Sequence, residues 1–168
     1  MKKAAIIGAT GFGGLGLIDL LSGHPGIKIQ SLAALDHGAV ISDMYPHLRG
    51  ICDLKVSHPD ETDITDMDII FLATPDQVGM KIVDPFYSGG IPVIDFSGDF
   101  RFNTLSDYEI YAANKGMSLN HDAPGLLQKS VYGLPELNRK LIETAPVIGN
   151  PGCFAMAMIL PLFPLVSE

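Results

Sequence analysis

The stretch that decides the fold is "KAAIIGATGFGG", residues 3–14. An apolar run ends on Gly8, a glycine-rich turn follows, and "LGLIDLLSGH" (15–24) then repeats leucine and isoleucine at helical spacing. The pattern is strand, tight turn, helix. Gly8, Gly11 and Gly14 let the backbone turn sharply and approach a pyrophosphate closely. The amides and dipole at the helix N-terminus attract its charge, and Thr10 adds a hydroxyl donor. The same glycines also suit a tight turn with no ligand. Their position directly after the first strand favours a dinucleotide site.

Working outward, "IKIQSLAAL" (27–35) begins in alternation and becomes uniformly apolar, and "MDIIFLATP" (67–75) is the clearest buried strand. "IPVIDFS" (91–97) and "PVIGN" (146–150) add two short ones. Helices are expected at 15–24, from Asp76 in "DQVGMKIVDPFYSGG", over "NRKLIETA" (138–145) and after Cys153. Residues 36–66 read as polar and irregular, and 98–146 as turns and short polar segments around "VYGLPELN" (131–138). Buried strands alternating with helices predict an α/β chain with a doubly wound parallel sheet, Rossmann-like, because parallel strands need crossovers.

With 168 residues, 47% of them apolar and 18% charged, the chain can bury one sizeable core. A net charge of −8 and a pI near 4.9 offer no cationic surface for nucleic acid. No apolar run is of bilayer length, and the N-terminus turns glycine-rich too early for a secretory signal, so a cytoplasmic protein with no membrane partner is expected. The two cysteines, Cys52 and Cys153, stand in unlike surroundings, and the five histidines show no ligand spacing with either. That argues against a disulfide framework and against a structural metal.

Cys153 sits in "VIGNPGCFAMAMI" (147–159), where a strand, a Gly-Asn-Pro-Gly turn and the start of a helix meet. A helix N-terminus favours the thiolate, and Pro151 and Gly152 leave little bulk in the way of a reactant. The alternative is a small buried apolar residue, the reading that suits Cys52 in "RGICDLKV" (49–56). Glycine turn and thiol together describe acyl transfer coupled to hydride transfer. A thiolate attacks an acyl phosphate, phosphate leaves, and the thioester accepts hydride from a reduced nicotinamide to release an aldehyde. The base such chemistry needs is not identifiable in the sequence. At "LDHG" (35–38), Asp36 stands where a carboxylate bonds the ribose 2′-OH of NAD and an arginine or serine receives the phosphate of NADP. Asp36 serves equally well as a solvated turn residue, so NAD and NADP both remain open.

Four stretches, "IIGATGFGG" (6–14), "DFSGDFRF" (95–102), "VYGLPELN" and "NPGCF" (150–154), resemble in order and spacing the N-acetyl-gamma-glutamyl-phosphate reductase family, a relative of aspartate-semialdehyde dehydrogenase. "MYPHLRG" (44–50) and "NHDAPGLL" (120–127) are similar to its connecting segments. The resemblance implies NADP-dependent reduction of N-acetyl-glutamyl phosphate to the semialdehyde in arginine biosynthesis, by a homo-oligomer acting on a small acyl phosphate. It implies Cys153 as catalytic nucleophile, and Gly8, Thr10, Gly11, Phe12 and Gly13 as the phosphate-binding turn. Ala73, Thr74 and Pro75 are implied beside the cofactor, where the strand-end reading also sets Asp36, and Ser97, Arg101 and Asn150 are expected on the substrate side.

Three features depart from the family's pattern. Phe154, Ala155 and Met156 stand where Tyr-Pro-Thr is usual, Asp76 replaces a histidine, and no arginine or serine accompanies Asp36. The resemblance further implies a dinucleotide-binding domain over 1–148 and the start of a substrate domain over 149–168. That domain would supply the catalytic histidine from beyond the chain, so little turnover is expected of these residues alone. The tail "LPLFPLVSE" (160–168), with Leu162, Phe163, Leu165 and Val166 uncovered, agrees.

Two other readings compete. Tyr111 and Lys115, with Ser97 upstream, fit the Tyr-x-x-x-Lys pair of short-chain dehydrogenases and epimerases, although "SDYEIYAANKG" (106–116) lacks a sustained apolar stripe and ends in glycine. The other is a dinucleotide-binding redox sensor in which Cys153 is inert.

Overall fold

The computed structural model describes residues 1–166. Strand β1 (Lys2–Ile7) leads through α1 (Phe12–Ser22) to β2 (Ile27–Ala33), α2 (Ile41–Met44) and β3 (Val56–Ser57). The chain then returns to β4 (Ile69–Leu72) and passes through α3 (Gly79–Ile82) and α4 (Asp84–Ser88) to β5 (Val93–Asp95). Helices α5 (Leu105–Asn114) and α6 (Pro124–Leu127), strand β6 (Val131–Tyr132), helix α7 (Pro135–Ile142), strand β7 (Val147–Gly149) and helix α8 (Cys153–Val166) complete it.

The seven strands lie in the order β3-β2-β1-β4-β5-β7-β6, and every pair is parallel. The doubly wound parallel sheet expected from the sequence is present. Strand β1 shows why its apolar run is unbroken. Ala4 and Ile6 pack with Leu17, Ile18 and Leu21 of α1, whereas Ala5 and Ile7 face Met80, Val83 and Phe86 of the α3–α4 segment. Both faces are covered, so both sets of alternate positions are apolar.

Three expectations need correction. The stretch 36–66 is not wholly irregular, since it holds α2, two short 3₁₀ turns and β3 at the edge of the sheet. The helix expected from Asp76 starts only at Gly79 and splits into α3 and α4, because Gln77 has φ +67 and Pro85 opens a new first turn. The segment 98–146 contains α5, α6, β6 and the whole of α7, which begins at Pro135. Helix α5 escaped the periodicity because only Tyr108 and Ala112 are buried on it.

Winding reverses between β1 and β4, the switch point where open α/β sheets bind ligands. Register brings the ends of the central strands level there, with Ile7 beside Leu72, Leu72 beside Asp95 and Asp95 beside Gly149. The residues that follow, Gly8, Ala73, Phe96 and Asn150, therefore leave the sheet along one edge. Among the described residues no helix is long and apolar enough to cross a membrane.

Candidate active site

The turn after β1 admits only glycine at its first position. Gly8 has φ +89, and a Cβ there would lie 2.3 Å from the Ala73 carbonyl oxygen. A Cβ on Gly14 would lie 2.2 Å from the Gly8 carbonyl oxygen, so that glycine packs helix against turn. Gly11 is the N-cap of α1, and no side chain caps the helix. Its first amides, on Phe12 and Gly13 among others, are left for an external acceptor. The Phe12 side chain itself is 97% exposed, leaving the backbone as the phosphate-facing part of that residue. Tyr45 donates its hydroxyl to the Thr10 carbonyl oxygen over 2.6 Å and braces the turn from outside. A close-approach cradle under an uncapped helix start fits the pyrophosphate of a dinucleotide.

Asp36 lies exposed just past the end of β2. Beside it the His37 ring meets His58 edge-on at 5.0 Å, His58 following β3 directly. After β4, the Ala73 carbonyl packs on Gly8, the Thr74 hydroxyl oxygen is buried with no hydrogen-bond partner among the described residues, and Pro75 is exposed.

The loops after β4 and β5 meet in an acidic network. Asp76 accepts from the Gly98 N–H (2.7 Å), the Tyr111 hydroxyl (3.0 Å) and the Lys115 ammonium (2.7 Å). Partial burial works against its charge, but these donors outweigh that and hold its pKa below the usual carboxylate range. Asp99 accepts from the backbone N–H groups of Gln77 and Met80, yet burial pushes its pKa up. Asp95, wholly buried, is pushed up to about 7 by loss of solvation, with the Asp99 charge adding to it and the Ser97 hydroxyl opposing. Ser97 is buried, donating to Asp95 over 2.5 Å and accepting from the Asp99 N–H over 3.1 Å, so its hydroxyl supports the loop from within.

Arg101 ties the loop after β5 to the next. Its Nε donates to the Asn150 carbonyl and its Nη2 to the Phe96 carbonyl, leaving further N–H groups of the guanidinium uncommitted among the described residues. Gly149 is required where the two segments touch, since a Cβ would lie 2.1 Å from the Phe100 carbonyl oxygen. Cys153 is the first residue of α8, a helix of 14 residues, and its side chain is exposed, whereas Cys52 is buried and its pKa is raised by desolvation. Phe12, Gly13, Arg101, Lys115, Asn150 and Cys153 all line one groove of about 690 Å³.

A family model, "semialdehyde dehydrogenase, NAD binding domain", matches residues 3–145. The chain belongs to the semialdehyde dehydrogenase NAD-binding family. It is 38% identical over 167 residues to the N-acetyl-gamma-glutamyl-phosphate reductase of Neisseria gonorrhoeae (strain NCCP11945), covering 99% of this chain and 47% of that protein. The enzyme of the same name from Halothermothrix orenii is 40% identical over 170 residues, covering 100% of this chain and 48% of the relative. The chain thus spans about half the length of the curated relatives it matches. Two solved structures share the fold. Aspartate semialdehyde dehydrogenase II of Vibrio cholerae, complexed with ASA, superposes with a TM-score of 0.70 at 19% identity, over 100% of this chain and 47% of that one. The Candida albicans aspartate semialdehyde dehydrogenase with NADP gives 0.64 at 22% identity, over 99% and 47%.

Membership of the semialdehyde dehydrogenase family overturns the short-chain dehydrogenase alternative. Tyr111 and Lys115 turn instead toward Asp76. This grouping was not visible in the chain because its partners lie far apart, Asp76 after β4 and Lys115 at the end of α5. The spacing of aspartates in "DFSGDF" was the only local sign of the acidic network.

Proposed function

We propose that this protein carries out the NADP-linked reduction of N-acetyl-glutamyl phosphate to its semialdehyde, with Cys153 as nucleophile. The observation that carries the reading is the shared groove, which is lined both by an exposed cysteine at a helix start and by the first residues of the uncapped α1. Residues 1–148 then form the dinucleotide-binding domain, and the chain from 149 onward begins the substrate side; the last two residues of that span lie outside the described residues.

The Cys153 thiolate adds to the acyl carbon, the carbon–oxygen bond to phosphate breaks, and a thioester remains on the sulfur with inorganic phosphate released. Arg101, with uncommitted N–H groups in the same groove, suits the departing phosphate or the substrate carboxylate. The cradle under Gly8 and the amides of α1 hold the dinucleotide, and Asp36 and Thr74 offer polar atoms beside it. A reduced nicotinamide supplies the hydride that converts the acyl group to the aldehyde and returns the sulfur as thiolate.

The test is a stoichiometric mixture of protein and acyl phosphate, without cofactor. Intact-mass analysis should find the acyl adduct on Cys153 together with one equivalent of phosphate, and Cys153→Ser should show neither. Absence of both from the unaltered protein would refute the reading and favour the inert-thiol sensor.

A further inference from the structure

Lys115 is a groove-lining cation with no role in the acyl-transfer step. It lies at the C-terminal cap of α5, with its ammonium 2.7 Å from Asp76 Oδ2 and 4.8 Å above the Tyr111 ring. Asp76 is fixed in turn by the Gly98 N–H and the Tyr111 hydroxyl. Gly98 permits the approach, for a Cβ there would lie 2.2 Å from the Tyr111 hydroxyl oxygen. Four residues from three segments, Asp76, Gly98, Tyr111 and Lys115 itself, thus converge to hold one ammonium at the wall of the groove.

Its groove restricts what it meets. Lys115 lines the same groove as Phe12 and Gly13 of the helix start and as Cys153. A dinucleotide whose pyrophosphate rests on α1 and whose nicotinamide reaches an acyl group on Cys153 would lay the nicotinamide ribose in this groove. Charge then selects the partner. A free ammonium would suit a phosphate, but one held against an ionised carboxylate has its charge largely offset. It retains N–H groups beyond the one given to Asp76, and these suit neutral oxygens. A vicinal diol presents two such oxygens side by side.

We infer that Lys115, positioned by Asp76 and Tyr111, donates hydrogen bonds to the hydroxyls of the nicotinamide ribose and is a cofactor-positioning residue of this site. The inference rests on the dinucleotide reading proposed above and adds the group that holds its nicotinamide half.

The experiment measures dissociation constants of the full chain for NADPH, by fluorescence, and for 5′-ADP, by calorimetry; the second ligand has the adenosine diphosphate half and no nicotinamide ribose. Lys115→Met keeps the side-chain stem over Tyr111 and removes the donors. It should weaken NADPH binding at least about tenfold, the size of a lost hydrogen bond from a charged donor, and leave 5′-ADP unchanged. Lys115→Arg, which keeps donors and the pair with Asp76, should recover most of the NADPH affinity. Unchanged NADPH binding in Lys115→Met overturns the inference, and so does an equal loss for both ligands, which would place the ammonium on the pyrophosphate. Failure of the unaltered protein to bind either ligand would instead sink the dinucleotide reading itself.

Discussion

Arg101 Nε donates to the carbonyl oxygen of Asn150 over 2.7 Å, joining the loop after β5 to the turn that presents Cys153. Its Nη2 holds the Phe96 carbonyl at 2.8 Å, so one planar fork spans the ends of two adjacent strands. Arg101→Met should therefore cost about 1–3 kcal/mol, a fall in Tm of about 2–4 °C per kcal/mol. It should slow acylation of Cys153 at least about tenfold, because the turn loses its brace. Arg101→Lys, a point donor, should regain part of the stability and little of the rate. Thermal denaturation and phosphate release read the two effects, and wild-type acylation in Arg101→Met would dissociate the brace from the chemistry.

Two glycines of the first turn and helix should respond in opposite senses. Gly8→Ala meets a backbone carbonyl oxygen at 2.3 Å in a left-handed conformation, and is expected to lose about 2–5 kcal/mol and dinucleotide binding with it. Gly16→Ala, within α1 and with nothing near its added Cβ, should gain up to about 1 kcal/mol. Urea unfolding of both variants measures the contrast; equal responses would mean the turn relaxes freely.

Asp95 makes stability depend on pH. Its carboxyl rises from 3.8 to about 7 on folding, so the native protein holds a proton that the unfolded chain has released over this interval. The associated stability is complete below pH 3.8 and is lost as pH rises through about 7. Asp99 is shifted in the same direction by burial and adds to the slope. Asp95→Asn, which cannot ionise, should flatten the dependence and be the more stable protein at pH 8. Urea midpoints taken from pH 4 to 8 decide this, an unaltered slope in the variant being the contrary result.

Tyr45→Phe removes the donor that holds the Thr10 carbonyl and leaves the ring in place. A loss of about 0.5–1.5 kcal/mol is expected. Calorimetry should show a several-fold weaker affinity for the dinucleotide, since the bond braces the phosphate-facing turn. An unaltered affinity would show that Gly8 and Gly14 hold the turn unaided.

The chain by itself determined the doubly wound sheet, the glycine cradle and the cysteine at a strand-to-helix junction. All three are encoded locally. A strand covered on both faces must be apolar at every position, a backbone pressed on Ala73 must be glycine at Gly8, and a helix start must follow a turn. Tertiary structure decided what depends on partners distant in the chain. Strand β6, two residues long, is too short to show a period, and belongs to the sheet because Val131 and Tyr132 find Ile148 and Gly149 alongside. Ser97 looked like a groove residue until packing turned its hydroxyl inward to Asp95. Lys115 reads as the last charge before a glycine, and becomes part of the groove wall only when folding brings Asp76 within 2.7 Å. Electrostatic and hydrogen-bonding partners are chosen by distance in space, and local sequence carries no measure of that distance.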